Sequence, residues 1–246
     1  MSSRFLPVSF LTAVLFLSSC GGNEEKAKSE KMSSDSATAA PVTTPPVAAS
    51  TIVTTPQAMM VVKHKVGNFA KWKASYDAHD SMRVVGGMHN YVVARGVYDS
   101  NTVLVIVKTD DMAKAKSFAK DPKLKEAMQK GGVTGPPSFS FVTMVFQDTV
   151  AVNSTMRSLT TFMVKDWDAW QKAFPDGEQE RIDNGLTVRA LGHDADNNNK
   201  VVLVTAIIDS AKAAVYWKSD MLKKRRAASG VIGEPDRFIY KIVQKY

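Results

Sequence analysis

From residue 59 onward, short apolar runs alternate with segments of helical period, and the order then repeats. Residues 59–65 and 88–96 read as strands. Residues 102–109 are apolar at every position from Val103 to Val107, so Val103, Val105 and Val107 face one way while Leu104 and Ile106 face the other. After the first strand, Asn68 caps a helix on which Phe69, Trp72 and Tyr76 share one face, and Gly86-Gly87 ends that stretch. Asp99-Ser100-Asn101 turns a hairpin. Residues 111–130 read as helical with a break at Asp121-Pro122, and 138–147 read as a closing strand. The unit is β-α-β-β-α-β.

A shift of 98 residues lays this unit on the rest of the chain without a gap, placing Trp72 on Trp170, Arg83 on Arg181 and Leu124-Lys125 on Leu222-Lys223. Asp166 replaces Asn68 as the cap, and Asn197-Asn198-Asn199 supplies the hairpin turn. The two-faced strand recurs, with Val201 and Leu203 set against Val202 and Val204. Such a strand must be covered on both sides, and helices can cover only one. The second copy covers the other. The prediction is an α+β fold: two ferredoxin-like βαββαβ repeats, 59–148 and 157–246, forming an intramolecular dimeric α+β barrel. The Gly-Val-x-Gly-x-Pro runs at 132–137 and 230–235 are expected to turn the chain into each last strand.

In this order of strand, aromatic helix, Arg83 or Arg181, hairpin and Gly-Val-x-Gly-x-Pro, the chain resembles the dimeric α+β barrel superfamily that includes the antibiotic-biosynthesis monooxygenases. The resemblance implies three outcomes: a cofactor-independent monooxygenase, a haem-binding or haem-degrading protein, or a copy without activity. Fold alone does not choose among them.

The N-terminus carries a different message. Arg4 precedes an apolar run over 5–17, about 13 residues, which suits a signal-peptide core and is short of the ~20 that span a bilayer. Leu17-Ser18-Ser19-Cys20-Gly21 resembles the lipobox of bacterial lipoproteins, and Cys20 is the sole cysteine. The resemblance implies a signal peptide over 1–19, acylation of Cys20, and membrane lipid as a partner. Residues 21–58 hold Pro41, Pro45, Pro46 and Pro56 with no aromatic, the composition of a disordered linker. The expected location is the cell envelope, anchored to the outer membrane, with the globular part in the periplasm or on the cell surface.

The net charge of +8 is spread over both copies rather than clustered, so no nucleic-acid partner is expected. Lys223-Lys224-Arg225-Arg226 reads as a solvated helix face. His64, His79, His89 and His193 include no pair at metal-ligand spacing, so neither a metal nor a cofactor is expected. In the superfamily, haem degraders pair a histidine with Asn and Trp, and Asn68 and Trp72 stand near His64; both are equally accounted for as a cap and a packing residue. Strict alternation puts Met88, Asn90, Val92 and Ala94 on one face and His89, Tyr91, Val93 and Arg95 on the other, with Thr187, Arg189, Leu191 and His193 matching the second set. Arg95 and His193 are equivalent. A barrel-facing patch of His64, His89, Tyr91, Arg95, Arg189 and His193 is therefore the candidate site for a small molecule. The leading expectation is a non-enzymatic ligand-binding or interaction module; the alternatives are a cofactor-independent monooxygenase acting on an aromatic or polyketide-like substrate, and haem binding.

Overall fold

The computed structural model describes residues 50–246; the expected signal peptide, Cys20 and the expected linker as far as residue 49 lie outside the described residues. A short strand, β1 (Ile52–Val53), precedes the first copy: β2 (Gln57–Val66), α1 (Phe69–Ala78), α2 (Asp80–Val85), β3 (Met88–Gly96), β4 (Thr102–Thr109), α3 (Met112–Phe118), α4 (Pro122–Lys130) and β5 (Val133–Asp148). The second copy is β6 (Met156–Val164), α5 (Trp167–Ala173), a 3-10 turn (Phe174–Gly177), α6 (Glu178–Asp183), β7 (Leu186–Asp194), β8 (Lys200–Ile207), α7 (Ser210–Tyr216), α8 (Asp220–Ala228) and β9 (Val231–Lys245). Helices start where a short polar side chain can satisfy a free amide. Asn68 accepts from the Lys71 N–H at 2.9 Å and Asp166 from Ala169 at 2.7 Å, while Asp111 and Asp209 each accept from two amides.

The strands run in the order β1-β5-β2-β4-β3-β9-β6-β8-β7, and β7 pairs back onto β5. Two seams, β3 with β9 and β5 with β7, join the copies into a closed antiparallel barrel. Closure pairs β2 to β9 on both sides and leaves only the two-residue β1 at an edge among the described residues. Leu104, Ile106, Val202 and Val204 point into the lumen with Met59, Val61 and Tyr240. Val103, Val105 and Val107 point outward, under helices that contribute Trp72, and Val201 packs outward with Trp170. The equal greasiness of the two strand faces is thus used on both sides. Each such side chain contributes about 1.5–3 kcal/mol by burial.

Two local features depart from the expected pattern. Strand β3 holds one residue more than β4 opposite it: Asn90 pairs Val107 and Val92 pairs Ile106, leaving Tyr91 as a bulge. The same happens at Arg189, between Val188 and Ala190. A bulge reverses the inside-outside alternation beyond it. Met88 therefore packs under the helices while Val92 and Ala94 fill the lumen. The Gly-x-Pro runs do not precede the last strands but bulge within them. Residues 135–137 loop out opposite His64 and residues 233–235 opposite Phe162, with Gly135 and Gly233 at φ of 79° and 69°. Regular pairing also starts at Ile52, before the expected linker end at residue 58.

Gly192 marks the tightest point of the β5–β7 seam. A Cβ there overlaps the Thr143 carbonyl and sits 2.7 Å from the Met144 Cα, backbone atoms that cannot step aside. Gly192→Ala is expected to cost about 1–3 kcal/mol. In urea, both the parent and this variant should unfold in a single transition, because neither copy keeps its inner face dry alone; two separated transitions would contradict the shared core.

Candidate functional site

Cavities lie in the lumen and, in each copy, between sheet and helices, and a further one of about 620 Å³ opens beside Asp121, Lys125 and the 135–137 bulge. The lumen cavity, about 310 Å³, lies at the end covered by the inter-copy segment and is lined by Tyr91, Arg157, Arg189 and Tyr240 among apolar side chains. Its two arginines are already engaged. Arg189 binds Asp148 at 2.7 Å and also donates to the Val150 carbonyl, and Arg157 donates to the Ser154 and Met156 carbonyls at 2.7 and 2.9 Å. These bonds hold the linker between copies against the barrel.

The pocket of the first copy is built differently. Two adjoining cavities of about 80 and 50 Å³ lie between β2, β4 and the helices and share Trp72, Tyr76, His79 and Arg83. His64 enters from β2, its ring centroid 5.3 Å from Trp72, which in turn stacks on Tyr76 at 5.1 Å. The imidazole is 5% exposed, and neither ring nitrogen has a partner among the described residues. Burial lowers its pKa to about 4, so the ring is neutral at pH 7. Away from it, beyond Trp72 and Tyr76, Asn90 Oδ1 accepts from the Tyr76 hydroxyl at 2.5 Å and from Arg83 Nε at 3.0 Å, while its amide donates to Asp80 at 2.6 Å. Arg83 lies 3.7 Å over the Tyr76 ring, and burial pushes the phenol pKa up. Buried polar atoms are nearly always paired, so two free nitrogens in one ring leave a place for a water or a ligand group to bond.

The second copy carries none of this network. Phe162 stands where His64 does, Phe174 for Tyr76 and Val188 for Asn90, with only Trp170 and Arg181 retained. Phe162 packs on Trp170 at the same 5.3 Å. The fold needs a ring at this place; it does not need an imidazole.

The six residues expected to form one patch fall in five places. His64 lines the first-copy pocket; Tyr91 and Arg189 line the lumen. His89 is exposed and reaches Asp110 at 3.0 Å. Arg95 and His193, equivalent as expected, lie on the helix side: Arg95 over Phe69 at 4.3 Å, donating to the Ser100 carbonyl at 2.6 Å, and His193 on Trp167 at 4.9 Å. The bulges at Tyr91 and Arg189 turn them outward, so no barrel-facing patch joins them. Tyr76, Arg83 and Asn90 were not singled out as site residues, although the loss of Tyr76 and Asn90 from the second copy was a readable signal. Arg225 and Arg226 also differ from expectation: both are half-buried, while Lys223 and Lys224 are solvated. Asn68 is a cap and lies away from His64's cavity lining. Haem does not fit the first-copy pocket, whose cavities are well below the ~300 Å³ at which ordinary cofactor sites begin.

A closed antiparallel barrel of two βαββαβ halves with helices outside defines the dimeric α+β barrel class, here with both halves in one chain. No protein-family model matches the chain, and no curated protein matches it by sequence. Among solved structures it is similar to a candidate monooxygenase of Fusobacterium nucleatum, at 14% identity and a TM-score of 0.51, covering 77% of this chain and 93% of that one. It is also similar to a candidate monooxygenase of Lactobacillus acidophilus, at 13% identity and a TM-score of 0.50, covering 76% and 94%. At such identity the likeness is one of fold. It still corrects the expectation of a non-enzymatic module: both neighbours carry enzyme names, and the inert reading is given up.

Because folded His64 stays neutral while the unfolded ring titrates near 6.5, the unfolded state binds the extra proton. Stability should therefore fall as pH drops below 6.5 and level off below about 4, a loss of roughly 3 kcal/mol from this group. His64→Phe, which copies Phe162, should keep or raise stability at pH 7 and remove that part of the acid slope in urea titrations at pH 7 and 4.5.

Proposed function

We propose that the chain is a lipid-anchored, cofactor-independent oxygenase that admits one phenolic ring of an aromatic substrate to the His64 pocket. The observation that carries this reading is His64 itself: buried, neutral, free at both nitrogens, and replaced by Phe162 in the copy that lacks the polar network of the first. The enzyme names of the two solved neighbours support it. The room available approaches the ~150 Å³ that holds a benzene-sized molecule, so the rest of a larger substrate stays at the mouth near His79 and Met82.

His64 acts as the general base. A phenol placed against its free nitrogen gives up its proton, and the resulting phenolate offsets the burial that keeps the imidazolium unfavourable in the empty pocket. Trp72 fixes the imidazole plane from one side, and the Tyr76–Asn90–Arg83–Asp80 chain holds the opposite wall rigid. The electron-rich ring then reacts with O₂ at an activated methylene: the carbon loses two hydrogens and gains one oxygen as a carbonyl, and the second oxygen leaves as water. The apolar walls formed by Met60, Val62, Val105 and Phe118 keep bulk water from the carbanion.

Around this site we read the remainder as expected from sequence: removal of 1–19, acylation of Cys20, a linker, and two repeats held in the cell envelope by lipid. The sequence motif at 17–21 supports the anchor. Two or three acyl chains contribute roughly 0.8 kcal/mol per buried CH₂, enough for lasting attachment.

The test is oxygen uptake by the full chain in nonionic detergent with excess chelator, on a panel of hydroxyanthrones, which carry both the phenol and the activated methylene. Turnover is expected in the parent, reduced at least 100-fold in His64→Phe and retained in Arg95→Gln, whose guanidinium lies outside the pocket. Equal uptake by His64→Phe would sink the assignment. Separately, labelled palmitate should enter the parent and not Cys20→Ser; labelling of both would remove the anchor.

A further inference from the structure

The second copy fills the same place between sheet and helices with the opposite chemistry. A cavity of about 90 Å³ is lined by Arg181, Arg225, Arg226 and Arg237, with Thr160 and Thr205 on its floor. The equivalent positions in the first copy are Arg83, Ala127, Met128, Phe139, Val62 and Val107. Three of the four arginines are therefore additions that the fold does not require.

Only Arg225 has a carboxylate of its own: it binds Glu180 through Nε at 2.7 Å and through a second, shorter contact from Nη2. Arg181 is 8% exposed and donates to the Phe174 carbonyl at 3.1 Å, but its Nε is buried without a partner, because the Asn90 that serves Arg83 is Val188 here. Arg237 lies flat on Trp217 at 4.2 Å with Nε buried and unpaired. Burial, and then the field of Arg226, push its pKa down to about 10. Burial lowers that of Arg226 too, and the nearby Glu234 and Glu178 reach neither Arg226 nor Arg181 as ion pairs. Guanidiniums crowded together and partly buried, with donors left over, are costly unless an anion joins them.

We infer that this cavity is a binding site for a phosphate-sized oxyanion, a phosphate or carboxylate group, held between Arg226 and Arg237 with Arg181 behind them. The volume supports the size. At ~30 Å³ per water it holds about three waters, room for one such group but not for an aromatic acid entire. Any larger body attached to the anion must lie outside. The site does not depend on the His64 reading.

The experiment is calorimetric and thermal titration of the full chain, in nonionic detergent, with sodium phosphate, sulfate and acetate, each against sodium chloride at matched ionic strength. Saturable one-to-one binding of phosphate or acetate with a raised melting temperature is expected. A response to phosphate alone assigns the group as phosphate, and one to acetate alone as carboxylate. In the double variant Arg226→Gln and Arg237→Gln, affinity should fall at least tenfold while the anion-free melting temperature holds or rises, since repelling buried charges are gone. His64→Phe should bind as the parent does, which separates this site from the oxygenase site. The inference is overturned if no oxyanion exceeds chloride in the parent, or if the double variant loses melting temperature yet binds as tightly.

Discussion

Two copies of one unit each turn an apolar sheet face toward the other, and every other feature of the structure hangs on that contact. Leu104 and Ile106 on one side and Val202 and Val204 on the other meet in a lumen neither copy could dry by itself. Hydrogen bonds along the β3–β9 and β5–β7 seams follow from this, because faces held together bring the strand edges into register. Once the barrel is closed, the outer faces are left to the helices. That creates two equivalent pockets, each roofed by four short helices and floored by three or four strands.

Duplication lets those pockets diverge without disturbing the barrel. Both keep a tryptophan, Trp72 or Trp170, and an arginine on an aromatic ring, Arg83 over Tyr76 or Arg181 over Phe174, at 3.7 and 3.9 Å. These are the framework. The rest is exchanged: an imidazole among methionines and phenylalanines in the first copy, guanidiniums and hydroxyls in the second. A single-copy chain pairing with itself could not do this, since each change would appear twice. One chain can hold an apolar pocket with a neutral base and a cationic pocket in the same barrel.

The lumen is the space whose arginines are spent. Arg189 and Asp148 fasten the segment between copies, and Tyr91, in the equivalent bulge, occupies the space that a second arginine would take. Bulges are placed where a strand must re-aim a side chain. Here they aim one phenol and one guanidinium at the barrel end and turn the residues beyond them outward.

Read by itself, the amino-acid sequence determined the repeat, the element order, the caps at Asn68 and Asp166, and the need for cover on both faces of β4 and β8. These are local or periodic properties, carried by hydrophobic spacing and by side chains that bond to amides two or three residues away. What it left open was decided by partner strands. One extra residue at Tyr91 or Arg189 is invisible to period-two counting, since only the opposing strand defines it as extra, and so Arg95 and His193 were placed inside when they lie outside. The two pockets were hidden for the same reason. His64, Asn90 and Arg83, or Arg181, Arg226 and Arg237, come from distant segments, and only closing the barrel and laying the helices across it decides which meet, which are dry, and which are left without a partner.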